Sequence, residues 1–168
     1  MTNNVYNVLI LCTGNSARSI MAEAIFNTKG QGRFQAYSAG SHPTGKVHPL
    51  AFEQAQAIGY PVEHLRSKSW DEFTGPNAPQ MDFIITVCDN AAGELCPIWP
   101  GRPISAHWGV EDPAGIQGSD KDKRQAFEKA FECLSEYISQ LVRLPLEDLK
   151  PDAIKKALSG IGPTEAVK

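Results

Sequence analysis

Val8-Leu9-Ile10-Leu11-Cys12-Thr13-Gly14-Asn15-Ser16-Ala17-Arg18-Ser19-Ile20-Met21 is the stretch on which the reading of this chain turns. It opens with a continuous apolar run, the pattern of a strand covered on both faces. Ile20, Met21, Ala24 and Ile25 then recur at helical spacing and share one face. Between run and helix lie small or turn-tolerant residues, Gly14, Asn15, Ser16 and Ala17. The local prediction is strand, loop, helix, with Cys12 at the strand's end and Arg18 at the helix's start. Such a loop aims several backbone N–H groups at one point, and the helix N-terminus adds partial positive charge. Residues Thr13, Gly14, Asn15, Ser16, Ala17, Arg18 and Ser19 therefore form a candidate socket for a tetrahedral oxyanion. Arg18 brings a planar cation that grips two oxygens at once. Cys12, in the same field, is expected to ionise at neutral pH and act as a nucleophile. The plainer alternative is a small buried thiol that ends a strand, six positions from an unrelated arginine.

Working outward, the same alternation of strand and helix repeats. The first strand is expected over Val5 to Leu11 and the first helix as far as Thr28, where Gly30 and Gly32 break it. A second strand fits Phe34–Ala39. Pro49 opens a helix whose apolar side carries Ala51, Ala55 and Ile58. Ser69-Trp70-Asp71-Glu72 has the form of a capping box on a short helix. Phe83-Ile84-Ile85-Thr86-Val87 is the strongest strand signal and ends at Cys88; Ile104–His107 is a shorter fourth. Asp120 to Leu144 is the longest helix, with Phe127, Ala130, Phe131, Leu134, Ile138 and Leu141 on one stripe. The fold class is therefore α/β, a four-stranded parallel sheet flanked by helices. Such sheets bind ligands beyond the carboxyl ends of their strands, where Cys12 and Cys88 both stand. Residues 1–144 are expected to form one domain. Residues 145–168 read as a short helical extension, packed on its surface or frayed.

Composition bounds the function. With a net charge of −3 and no basic run, nucleic acid is not an expected partner, and an anionic substrate must be drawn in by local charge. No secretory signal or membrane-spanning stretch is visible, so a cytoplasmic location, where thiols stay reduced, is expected. Four cysteines in that setting are more readily catalytic, redox or buried than a disulfide framework.

Cys88 and Cys96 bracket Asp89-Asn90-Ala91-Ala92-Gly93-Glu94-Leu95. Their spacing does not suit zinc, and no metal is expected. They are either two unrelated half-buried thiols or a redox pair. The second reading requires the intervening segment to bend until their Cα atoms come within about 7 Å. Asp112-Pro113 is either an ordinary loop dipeptide or a carboxyl group placed to protonate a leaving oxygen. Cys133, on the long helix beside the apolar stripe, has no activating neighbour in the sequence and reads as structural or incidental.

Cys12-Thr13-Gly14-Asn15-Ser16-Ala17-Arg18-Ser19, followed by Met21-Ala22-Glu23, resembles the signature of arsenate reductases built on the low-molecular-weight protein tyrosine phosphatase fold. The resemblance runs from about Val5 to about Leu144. It implies catalytic roles for Cys12, Arg18, Cys88, Cys96 and Asp112. Cys12 would attack arsenate, held in the socket, while Asp112 protonates the departing oxygen. Cys88 would then attack Cys12 and release arsenite, and Cys96 would take over the disulfide. Ser19 would orient the loop or assist the thiolate, and Asn15 would hold the loop's shape. No organic cofactor is implied. The implied reductant is thioredoxin, with glutathione and glutaredoxin as the alternative.

A tyrosine phosphatase using the same Cys12, Arg18 and Asp112 is the runner-up. Against it, Ile20 stands where those phosphatases usually carry proline, and Ala114-Gly115 replaces their aromatic pair after Asp-Pro. A non-catalytic oxyanion-binding or redox-sensing module is a third reading. Asn15, Glu23 and Ser38 match positions that surround a potassium ion in some family members. The matching region here, Ser67-Lys68-Ser69, has a lysine and lacks the expected aspartate, which disfavours a bound cation.

Overall fold

The structure is a computed structural model that describes residues 5–30, 32–87 and 103–161. Cys88 and Cys96 lie outside the described residues. Four strands, β1 (Tyr6–Cys12), β2 (Phe34–Gly40), β3 (Phe83–Thr86) and β4 (Ile104–His107), form one sheet in the order β2-β1-β3-β4. Every pairing is parallel, with Cys12 opposite Gly40 and Leu11 opposite both Ala39 and Thr86. β1 is central, which explains its unbroken apolar run. Its alternate residues point to opposite faces and both faces are covered.

The two faces differ. Val8 and Ile10 join the larger core, together with α1 (Arg18–Lys29), α2 (Pro49–Ala57), α3 (Asp120–Val142) and α4 (Pro151–Ser159). Leu9 and Leu11 face a smaller cluster with Ala39, Phe73, Met81 and Ile84. Among the described residues all four α-helices therefore share one face of the sheet. α1 is the middle of that layer, buried without a break from Ser19 to Phe26. Its burial pins Arg18, one residue before that run, at the carboxyl edge of the sheet.

Two local readings change. Ser69 caps only a 3-10 turn, Trp70–Phe73, and its hydroxyl accepts from Asp71 N at 3.1 Å. The reciprocal bond from Glu72 is missing because that carboxylate pairs with the guanidinium of Arg66 instead. A complete capping box does occur at Ser119, whose hydroxyl accepts from Asp122 N while Asp122 Oδ2 accepts from Ser119 N, each at 3.2 Å. The described part of the extension, residues 145–161, packs as an integral layer: Leu146, Ile154, Leu158 and Ile161 are buried in the larger core. Trp108, which follows β4, stacks on Phe26 with centroids 6.3 Å apart and donates its indole N–H to Leu158 O at 3.4 Å. No helix among the described residues is long and apolar enough to cross a membrane.

Candidate active site

The loop between β1 and α1 curls around the Cys12 sulfur. Asn15 N donates to Cys12 Sγ at 3.2 Å, and Ser19 Oγ lies 2.9 Å from the same sulfur. Asn15 takes a left-handed backbone, φ 45°, which asparagine tolerates better than most residues. Three bonds hold it there: its Oδ1 accepts from Lys68 N at 2.8 Å, and its Nδ2 donates to Ser19 Oγ at 2.8 Å and to Ser38 Oγ at 3.0 Å. Ser19 Oγ accepts from Asn15 Nδ2, and its single proton is available to the sulfur once Cys12 is ionised.

The loop's carbonyls are turned outward and claimed by the segment after β2. His42 N donates to Thr13 O at 2.9 Å, Thr44 N to Gly14 O at 3.0 Å and His48 N to Ser16 O at 2.8 Å. Ser67 Oγ also reaches Gly14 O, at 3.1 Å. With those carbonyls claimed, the loop N–H groups are left to other partners, and that of Asn15 points to the Cys12 sulfur. Among the described residues, those of Gly14, Ser16, Ala17 and Arg18 have no protein acceptor. Ala17 offers no side-chain cap to α1, and its first turn has no acidic residue. The positive end of the helix is thus left for an outside anion. Gly40 makes the curl possible, since a Cβ there would lie 2.4 Å from Thr13 O and 3.0 Å from Asn15 N.

Arg18 joins this cradle to the loop after β4. Its Nη1 donates to Val110 O at 2.8 Å and its Nη2 lies 3.6 Å from Asp112 Oδ2. Asp112 is half exposed, so the pair adds little stability; what it does is hold a carboxyl group at the cradle's rim. Asp112 also accepts from Ala114 N at 3.0 Å, which caps the 3-10 turn Pro113–Gly115. Beside this loop a groove of about 300 Å³ runs to α3, lined by Val110, Ile116, Ala126, Ala130 and Cys133 among others. Among the described residues no aromatic ring lines it. Cys133 contacts Tyr137 OH at 3.3 Å and stands apart from Cys12.

Behind the cradle lies a buried polar chain. Ser38 Oγ donates to Glu23 Oε1 at 2.6 Å, and Lys68 Nζ sits 3.9 Å from the same oxygen while donating to Arg66 O at 2.8 Å. Burial raises the pKa of the Glu23 carboxyl and lowers that of the Lys68 ammonium, and each partner's charge opposes that shift in the other. No group of three or more potential metal-ligating side chains occurs among the described residues. The outward clamp of residues 42–48 and the close approach at Gly40 had no signal in the sequence beyond a glycine at a strand's end.

The profile of the low molecular weight phosphotyrosine protein phosphatase family matches residues 7–156. The chain belongs to that family. Among curated relatives, an arsenate reductase of Halalkalibacterium halodurans is 34% identical over 122 residues, covering 73% of this chain and 84% of that protein. Among solved structures, the low molecular weight protein tyrosine phosphatase from T. tengcongensis superposes with a TM-score of 0.63 at 26% identity, covering 86% of this chain and 99% of that one. The thioredoxin-dependent arsenate reductase of Corynebacterium glutamicum superposes with a TM-score of 0.55 at 25% identity, covering 81% of this chain and 61% of that one. The family fold thus carries both phosphatases and arsenate reductases, and the choice between them rests on side chains. The sequence expectation of a four-stranded parallel α/β sheet of this fold holds.

Proposed function

We propose that this chain is an arsenate reductase that passes electrons through its own cysteines. The observation that carries the reading is the cradle itself: among the described residues, loop N–H groups without a protein acceptor beside a buried Cys12 sulfur that accepts from Asn15 N and lies 2.9 Å from Ser19 Oγ, with Arg18 at its mouth. The curated relative of arsenate reductase function supports arsenate over a phosphate ester. So does the rim, where exposed Ala114 and Gly115 follow Asp112-Pro113 and offer no ring to stack on a phenol.

In the proposed reaction, arsenate is held by the loop N–H groups and by Arg18. The Cys12 thiolate attacks arsenic, an As–S bond forms, and an oxygen leaves as water after taking a proton from Asp112. Cys88, as thiolate, attacks the Cys12 sulfur. The S–S bond forms as the As–S bond breaks, and its electron pair stays on arsenic, which leaves as arsenite. Cys96 then displaces Cys12 from Cys88, giving a Cys88–Cys96 disulfide and a free Cys12 thiolate. An external dithiol reduces that disulfide; the likeness to a thioredoxin-dependent enzyme favours thioredoxin over glutathione with glutaredoxin. Such reductants belong to the cytoplasm, which is where the proposed reaction fits.

The deciding experiment is arsenate reduction by purified protein, run with thioredoxin and, in parallel, with glutathione plus glutaredoxin. Cys96→Ser is expected to release one arsenite per chain and stop with Cys12 joined to Cys88, as read by non-reducing peptide mapping. Cys88→Ser is expected to stop earlier, with arsenic held on Cys12. Hydrolysis of an aryl phosphate without any arsenate-dependent disulfide would instead make the protein a phosphatase.

A further inference from the structure

Among the described residues, Glu23 and Lys68 are the two charged groups sunk deepest beside the cradle, each side chain 8% exposed. An ion pair in such a place is costly to assemble, because both charges leave water. Its position gives the reason for it. Lys68 Nζ lies 3.9 Å from Glu23 Oε1, that oxygen accepts from Ser38, Ser38 accepts from Asn15, and Asn15 donates to Ser19, which touches Cys12. The same lysine's backbone N–H fixes the Asn15 side-chain oxygen. One residue therefore holds both ends of the asparagine that shapes the loop, through its N–H at one end and its charge at the other.

By the family resemblance, Asn15, Glu23 and Ser38 would be the positions to surround a potassium ion. Here these side chains do not fit a cation. Asn15 turns its amide nitrogen, a donor, toward Ser38, and its oxygen is taken by Lys68 N. Ser38 spends its proton on Glu23, whose carboxylate already has an ammonium beside it. A metal ion would meet one carboxylate and one fixed positive charge, and bring an uncompensated charge into a site that is neutral as it stands.

Resting on the reading of Cys12 as nucleophile, we infer that Lys68 is a positioning residue: its tethered ammonium compensates Glu23 and so holds the Cys12 loop in place of any bound cation, and this chain needs no added cation. Lys68 touches neither the sulfur nor the anion. It acts by compensating Glu23, which keeps Ser38 and Asn15 oriented and the Ser19 hydroxyl aimed at the thiolate. A polar cavity of about 340 Å³, lined by Glu23, Tyr37, Tyr60, His64 and Lys68 among others, opens behind the pair and gives small cations a route to Glu23 once the lysine is shortened.

The test compares wild type with Lys68→Met and Lys68→Gln in potassium, sodium and choline chloride at equal ionic strength. It reads sulfate affinity, thermal midpoint and the rate at which iodoacetamide alkylates Cys12, followed by peptide mapping. Wild type is expected to be the same in all three salts. Each variant in choline is expected to bind sulfate about tenfold more weakly, the fold-change of one lost charge-assisted contact, and to alkylate more slowly at Cys12. Potassium is expected to restore both quantities in the variants alone. A variant that folds only in potassium supports the inference equally. Potassium stimulation of wild type, variants indistinguishable from wild type in choline, or variants that no cation restores would each overturn it. Every readout is taken without turnover, so failure of arsenate reduction in wild type would sink the proposed function and leave this result to stand.

Discussion

Cys12 is 3% exposed, and the anion-binding donors beside it are backbone N–H groups. Binding and chemistry can therefore be separated by single substitutions. Cys12→Ser is expected to abolish arsenate reduction while sulfate affinity, measured by calorimetry, stays within about threefold of wild type, because the donors are main-chain atoms. Arg18→Lys keeps the charge but loses the two-point grip and its bond to Val110 O, so both binding and turnover should fall. Asp112→Asn is expected to slow formation of the As–S adduct by about 10²–10⁴-fold, as loss of a general acid does, with little change in sulfate affinity. Single-turnover kinetics would check it; a near-normal rate would move the proton to Glu111 or to solvent.

At the scale of the element, the strand, loop and helix around Cys12 were legible because each has a residue-type signature: an apolar run, small turn residues, then apolar positions at helical spacing. The clamp by residues 42–48 was not, because backbone pairing leaves no mark on side-chain identity. The Ser69 box failed because Arg66, close in space, won the Glu72 carboxylate. The network behind the loop was only half visible. Lys68 stood out as a departure from the family pattern, but its burial against Glu23 is a tertiary fact. Gly40→Ala tests the clamp's closest point: a methyl group 2.4 Å from Thr13 O must push the loop away, so sulfate binding should weaken more than about tenfold and stability fall by about 1–3 kcal/mol. His48 tests the next helix. Its Nδ1 caps α2 by accepting from Leu50 N at 3.1 Å, which only the neutral ring can do. Burial lowers its pKa below the ordinary 6.5, against the pull of Asp112 and with some help from Lys123. Because the folded-state value lies lower than the unfolded one, the cap's contribution is complete above about pH 6.5 and declines as pH falls from there to the folded value. Thermal midpoints across that window should drop more steeply for wild type than for His48→Asn, which keeps a capping oxygen without a titration.

Across the whole molecule, the carboxyl-terminal layer closes the core that the sheet's helical face opens. Leu158 is fully buried and its carbonyl receives the Trp108 indole. Leu158→Ala should cost about 2–5 kcal/mol in denaturant titrations and do so within a single transition, since α4 and α3 share one core. Two separate transitions would mean that residues 145–168 fold as an independent piece. The cradle, finally, bears on heredity. Its grip on an oxyanion comes from main-chain nitrogens, and no codon change short of proline deletes one of those. Descendants of such a chain can lose or exchange the residues at its mouth and behind its loop, and so drift between ester cleavage and arsenic chemistry, while the hold on a tetrahedral anion passes down intact.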